Sequence, residues 1–367
     1  MKPVLSPLVA MLLAAGLALP LAGQEPSARP AAGLQWHAFP EAAKFAVRGL
    51  PWFGENQPKL WRLPAAVMDG LPKGVQNRAR MPSGGRIHLR STTARLGVRT
   101  VAAAGAATRV VAGHLDAAVN GRVVRSAAAV RDGKGAEFVF AEGLGDGEKD
   151  IVIYLPHLQE IVVTAIGVEP GARVVPGRAG TVRPLPVVYY GSSVCQGSGA
   201  QSAAQTYPAI ASRELQLDFI NLGFGGSGKA EPEVVRWVNS LPGCAYVFDL
   251  GKSYGAQDAS AFLAMLRAVR RDHPAAPIIV ITPITSAKEV KEPAYAERSV
   301  HTRKVMRDPA QELIRAGDTG ITILEGEVML GFRDHHLLSK DGVHPADEGY
   351  RVMAARLVPV LRQALGL

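Results

Sequence analysis

The stretch Pro186-Val187-Val188-Tyr189-Tyr190-Gly191-Ser192-Ser193 is an apolar run that ends abruptly in a small, glycine-flanked turn. A strand that is apolar at every position, not at alternate ones, is covered on both faces. Ile278-Ile279-Val280-Ile281 has the same texture. From residue 185 to 367 such runs alternate with helical segments. The pattern predicts strands over 186–191, 218–222, 245–250, 278–282 and 322–324. It predicts helices over 203–215, 231–238 and 259–271, around 300–316, and near 349–365. Alternation of this kind means a doubly wound α/β/α sandwich with a parallel sheet.

Working upstream, the texture is different. Residues 35–168 hold short β-rich runs, among them Arg86-Ile87-His88-Leu89-Arg90 and Ile161-Val162-Val163-Thr164-Ala165. Asn120-Gly121, Asp132-Gly133 and Asp146-Gly147 read as turns between them. No convincing amphipathic helix interrupts these runs, so an all-β sandwich is expected there. Residues 169–184, rich in Gly, Pro and Arg, read as a linker. At the N-terminus, Lys2, the apolar run from Val9 to Ala15 and the small pair Ala22-Gly23 predict a signal peptide over 1–23. Residues 24–34 read as a flexible leader. Nothing else is long enough to cross a bilayer, so a secreted or periplasmic chain with no stable membrane insertion is expected.

Cys195 and Cys244 are the two cysteines among 367 residues. One follows the end of a predicted strand and the other precedes the start of its neighbour. In a parallel sheet those ends lie a strand length apart, beyond the roughly 7 Å limit for a bridge, so two free thiols are expected. The formal charge is +9. A basic surface would favour an acidic polysaccharide or anionic envelope, but the arginines are spread along the chain with no basic block, which reads more simply as a solvated surface and argues against nucleic acid.

In such a sheet, ligands bind at the carboxyl ends of the strands. Ser193 leaves the first strand there, placed as a nucleophile. Gly223-Phe224-Gly225-Gly226-Ser227-Gly228 follows the second strand, and Asp249-Leu250-Gly251-Lys252-Ser253 closes the third. Near the C-terminus stands Asp341-Gly342-Val343-His344-Pro345. A serine needs a base, and the base needs a carboxylate to fix its tautomer; an Asp and a His three residues apart can supply both.

These blocks resemble the SGNH (GDSL-like) hydrolases. Tyr190-Gly191-Ser192-Ser193 with Gln196-Gly197 is similar to the family's nucleophile block, Asn221 to Gly226 to its second, and Asp341 to Pro345 to its last. Trp61-Arg62-Leu63-Pro64, Leu115-Asp116 and Tyr154-Leu155-Pro156 are similar to the N-terminal jelly-roll domain of a secreted bacterial branch. The resemblance implies a carboxylic ester hydrolase over 185–367, without cofactor or metal, often acting on acetylated carbohydrate. It implies Ser193 as nucleophile, His344 as general base, Asp341 as its orienting partner, and the amides of Ser193 and Gly226 as oxyanion donors. Where the family has an oxyanion Asn, this chain has Ser253. Either Ser253 donates, directly or through water, or Lys252 reaches in, or the enzyme is slow. Gln196, Lys252 and Tyr254 are candidate substrate contacts.

Two rival readings follow from the same residues. Gly223-x-Gly225-x-x-Gly228, with Asp249 ending the next strand, fits a dinucleotide fingerprint and would make a nicotinamide-dependent oxidoreductase. The missing Asn would also suit a catalytically weak, carbohydrate-binding descendant. Asp334, His335 and His336 lack a further ligand at metal-site spacing and read as a solvated loop. Trp52, Phe53 and Tyr207 read first as packing residues.

Overall fold

The computed structural model describes residues 31–101, 113–124, 129–130, 136–178, 181–255 and 257–367. The expected signal peptide, most of the leader and the Asp132-Gly133 turn lie outside these residues. No described helix is long and apolar enough to cross a membrane.

The C-terminal half is built on five parallel strands: β1 (Val187–Gly191), β2 (Phe219–Gly223), β3 (Ala245–Asp249), β4 (Ile278–Ile281) and β5 (Ile321–Leu324). Their spatial order is β2-β1-β3-β4-β5. The order reverses between β1 and β3, and that switch point is where open α/β sheets bind ligands. Six helices matter below: α1 (Ser193–Gln196), α2 (Tyr207–Leu215), α3 (Pro232–Asn239), α4 (Ser260–Asp272), α5 (Pro293–Arg315) and α6 (Asp347–Leu365). Successive strand residues point to opposite faces. Val188, Tyr190, Phe248 and Val280 pack with α3, α4 and α5. Val187, Tyr189, Val247 and Ile279 pack with α2 and α6. The helix expected around 300–316 starts earlier, at Pro293, since a proline at the first helical position starts a helix instead of breaking it.

The N-terminal half forms two large antiparallel sheets and a two-stranded one, Gly113–His114 with Ala129–Val130. One runs Gln35–Ala38, Val162–Val168, Arg95–Val101, Ala136–Glu142 in spatial order. The other runs Val174–Pro176, Arg86–Ser91, Lys149–Tyr154, Asp116–Val119, Arg122–Val124, and Ala46–Arg48 also pairs with Arg86–Ser91. Ile87, Leu89, Ile151 and Ile153 of the second sheet share a core with Val98, Phe138, Phe140 and Ile166 of the first. Alternation in Arg86–Ser91 is what makes the sandwich: Ile87 and Leu89 face in, while Arg86 and His88 face the α/β layers.

Two sequence expectations need correction. The 169–184 segment is not a bare linker, because Val174–Pro176 extends the second sheet at its edge. Three β-forming positions among prolines and glycines are too few for a pattern to register. Nor are residues 35–168 purely β. Phe53–Asn56 and Lys73–Ala79 are helices, with a 3₁₀ turn at Ala65–Gly70 between them. Elements of one or two turns are too short to display a 3.6-residue period. Trp52, Leu63, Met68 and Val75 join the core around β1 and β2, not the sandwich core.

Arg62 fixes that docking. It is fully buried, and no carboxylate among the described residues is hydrogen-bonded to it. Its guanidinium donates to the carbonyls of Asn221 (2.9 Å), Gly223 (2.6 Å), Met81 (2.7 Å) and Arg78 (2.7 Å). It also lies 4.6 Å from the Phe224 ring centroid. Burial pulls its pKa down to about 9, so it stays charged at neutral pH. Removing it leaves the Asn221 and Gly223 carbonyls without this donor, each worth on the order of 1 kcal/mol or more when buried unpaired, while those of Arg78 and Met81 keep the amides of Met81 (3.1 Å) and Ser83 (2.9 Å). Arg62→Ala is expected to lower stability by at least about 3 kcal/mol in chemical denaturation. An unchanged denaturation midpoint would show that the carbonyls find other donors.

Candidate active site

The site begins where β1 ends. A Cβ on Gly191 would sit 1.9 Å from the Asp249 carbonyl oxygen, and one on Gly228 (φ 70) would sit 1.9 Å from the Gly191 carbonyl oxygen. Only glycine allows β1, β3 and the turn after β2 to close this tightly. Ser193 is the first residue of α1, so its N–H has no acceptor within that helix.

His344 arrives on the loop before α6. Its Nε2 lies 2.8 Å from Ser193 Oγ and its Nδ1 2.6 Å from Asp341 Oδ2. The second Asp341 oxygen accepts from Ser339 Oγ (2.8 Å) and the amides of Val343 (2.8 Å) and His344 (3.0 Å). Burial works against charge on Asp341, but these hydrogen bonds outweigh it and hold the carboxyl well below the usual range. An ionised Asp341 accepts the Nδ1 proton, which leaves Nε2 free to accept from the serine hydroxyl. The three side chains are thus one hydrogen-bonded chain.

The Gly225-Gly226 turn lies beside Ser193: a Cβ on Gly225 would be 3.4 Å from the Ser193 Cβ. The Gly225 amide donates to Gln196 Oε1 (2.7 Å), and its carbonyl accepts from Arg78 Nε (3.2 Å). With Gly225 pinned on both sides, Gly226 is left exposed at φ 76. Gln196 Nε2 in turn donates to the His157 carbonyl (3.0 Å), which also accepts from Ser83 Oγ (2.6 Å). The turn beside the serine is therefore held through the N-terminal sandwich.

The profile of the GDSL-like lipase/acylhydrolase family matches residues 185–362. Residues 185–362 form a GDSL-like lipase/acylhydrolase domain. Residues 57–164 match the SsfX3 N-terminal domain. The chain is similar in structure to a Bacteroides ovatus protein described as a GDSL-like lipase, with TM-score 0.78 and 23% identity over 91% of this chain and 98% of that one. It is similar to the salicylyl-acyltransferase SsfX3 of a tetracycline biosynthetic pathway, with TM-score 0.76 and 24% identity over 92% and 99%. It is also similar to an acetyl xylan esterase from Butyrivibrio proteoclasticus, with TM-score 0.54 and 14% identity over 91% and 99%. At these identities the likeness concerns the fold. No curated protein matches the chain.

In the acylhydrolase domain a cavity of about 200 Å3 opens at the β1/β3 switch point, lined by Ser193, Val194, Asp249, Lys252, Ser253 and Ile284 among others. Ser253 and Lys252 both reach it. The Lys252 ammonium is buried without a hydrogen-bond partner among the described residues, 3.7 Å from Glu289 Oε1. Burial pulls its pKa down to about 8 against the attraction of Glu289. Glu289 is already held by Arg303 Nη2 at 2.7 and 3.0 Å.

Other expected contacts fall elsewhere. Gln196 is buried and positions the Gly225 turn, so it does not face substrate. Tyr254 is buried too; its hydroxyl donates to the Asp258 carbonyl at 2.6 Å. Both sit next to site residues in sequence, but adjacency does not say which side of a turn faces in. Trp52 packs edge-on to Trp237, and Phe53 stacks on Phe39. His335 meets the Thr285 hydroxyl and Asp334 meets Arg356. Cys195 and Cys244 are free thiols. The dinucleotide reading loses its parts: Gly223 and Gly228 are spent on close packing, and Asp249 is buried with Tyr207 Oη 3.0 Å from its Oδ2.

The sequence showed Asp249 at the end of the third strand and gave it a role only within that rival motif. Burial raises its pKa to about 7 from 3.8, against a hydrogen bond from Tyr207. A raised folded pKa favours the protonated form. Its stability contribution is complete below about pH 4 and is lost as pH rises through about 7. Asp249→Asn keeps an acceptor for Tyr207 without the buried charge. The melting temperature of the variant is expected to gain on the parent from pH 5 to pH 8. A constant gap across that range would overturn this account.

Proposed function

We propose that this chain is a secreted serine esterase that removes short acyl groups, acetyl above all, from carbohydrate. The reading is carried by one observation, the Ser193–His344–Asp341 chain of hydrogen bonds at 2.8 and 2.6 Å. Ser193 Oγ attacks the ester carbonyl while His344 Nε2 takes its proton. Asp341 holds the imidazole and offsets the charge it gains. The amides of Ser193 and Gly226 receive the developing oxyanion. His344 then protonates the departing alcohol, and a water deprotonated by His344 releases the acid.

The small cavity beside Ser193 supports a short acyl group. The open setting of the site, with Asp341 50% and His344 23% exposed, supports an ester carried on a polymer. Residues 1–23 would direct export, and N-terminal sequencing of the mature protein should then begin near Gln24. The test of function is acetate release from acetylated xylans, mannans and pectins, with Ser193→Ala as control. Release from none of them, with turnover of longer acyl esters, would overturn the carbohydrate reading.

Within this proposal Ser253 serves as a further oxyanion donor, so Ser253→Ala is expected to lower kcat by about tenfold or more. An unchanged kcat removes that role. A second reading rests on the match of residues 57–164 to the SsfX3 N-terminal domain. In it the acyl-enzyme passes its acyl group to an alcohol in place of water. Both begin with the same covalent step. They part when alcohols are added: ester product formed at the expense of free acid marks the transferase.

A further inference from the structure

The outer face of the second sandwich sheet does not pack flush against the acylhydrolase domain. Beside α2 a cavity of about 360 Å3 lies between them, within the size range of small-molecule sites. It is at the far end of the sheet from Ser193. Phe219, which lines it, starts β2, and Gly223 ends β2, about 13 Å further along at strand rise.

The lining holds three arginines, Arg86, Arg178 and Arg213, of which Arg86 alone has a carboxylate, Asp218, bound to it among the described residues. Arg86 is 3% exposed, and its Nη2 is engaged by Asp218 and the Phe219 carbonyl, yet Nη1 has no hydrogen-bond partner among the described residues. Among the described residues Arg213 meets Tyr154, its Nη1 3.3 Å from the hydroxyl and its guanidinium over the ring. Arg178 is exposed, with no acidic partner among the described residues. His88 sits beside them, its buried Nε2 without a hydrogen-bond partner among the described residues. A buried donor without an acceptor is costly and calls for an explanation, and a bound anion supplies one. Asp150 and Asn120 line the same space and can partner hydroxyls.

We propose that this cavity is a binding site for an acidic sugar, a uronate whose carboxylate meets the arginines and whose hydroxyls meet Asp150 and Asn120. Guanidinium groups match a carboxylate in geometry, and carboxylate with hydroxyls is the combination this lining recognises. The site is separate from Ser193 and does not depend on the esterase reading. It would hold the chain on uronate-bearing polysaccharide while leaving the cleft open.

The test is calorimetric titration of the full chain with digalacturonate, with neutral galactobiose and inorganic phosphate as comparators. Digalacturonate should bind, more weakly as salt is raised, while galactobiose should not bind and phosphate should bind at least about tenfold more weakly. Arg178→Ala should weaken digalacturonate about tenfold and leave p-nitrophenyl acetate turnover unchanged. Arg213→Gln should do the same, with Arg213→Lys recovering part of the loss, which separates lost charge from lost packing on Tyr154. Absent binding, equal binding of galactobiose, or unchanged affinity in Arg178→Ala would overturn the site. Phosphate binding as tightly as digalacturonate would reduce it to a generic anion site and overturn the sugar assignment.

Discussion

Ser193→Ala is expected to lower kcat for p-nitrophenyl acetate by on the order of 10⁶-fold, leaving only what binding and backbone donors give to direct attack by water. The loss should appear in kcat, with KM nearly unchanged, because the hydroxyl acts only when bonds are being made. The change removes one oxygen from the start of a short helix, so the melting temperature should stay close to that of the parent. A burst of p-nitrophenol equal to the enzyme concentration in the parent, absent in the variant, would identify the acyl-enzyme. Turnover within tenfold of the parent would move the nucleophile elsewhere.

Asp341→Asn is expected to cost about 10⁴-fold in kcat. The reasoning is one of proton placement. Asp341 spends one oxygen on His344 and the other on Ser339 and two amides. In the amide, the remaining oxygen stays with the two N–H donors. The NH2 group then faces His344 Nδ1. That contact requires an unprotonated Nδ1, so the ring proton moves to Nε2, where it blocks acceptance from Ser193. The loop should survive, because its amide contacts are kept. Asp341→Ala, which also frees the loop, should lose at least as much activity and lower the melting temperature. Equal activity of the Asn variant and the parent would mean His344 needs no orienting carboxylate.

The parallel sheet was legible because its strands are apolar along their whole length, as in Ile278–Ile281. The candidate site was legible because Asp341 and His344 stand on one loop and Ser193 stands at a strand end. What supports that site was not. Arg62 serves backbone carbonyls of Asn221 and Gly223, about 160 positions away in the chain. Carbonyls belong to every residue and leave no mark in a sequence. The packing of residues 52–79 against β1 and β2 was hidden for a related reason, since its helices are too brief to show a period. Gln196 was noticed for the wrong role. Its neighbour in the sequence is the nucleophile, but its amide turns inward to Gly225.

Arg62 and the segment around it bear on how the polypeptide is made. Residues 52–79 leave the ribosome well before the strands they rest on have been synthesised. Their apolar side chains must wait, uncovered, until residues beyond 250 emerge. The two halves are therefore expected to melt in a single calorimetric transition, and a fragment starting at residue 185 should aggregate when expressed by itself. Swapping the leading half for an unrelated module would remove the Arg62 guanidinium that caps the end of β2 and the Arg78 guanidinium that holds the turn beside the serine.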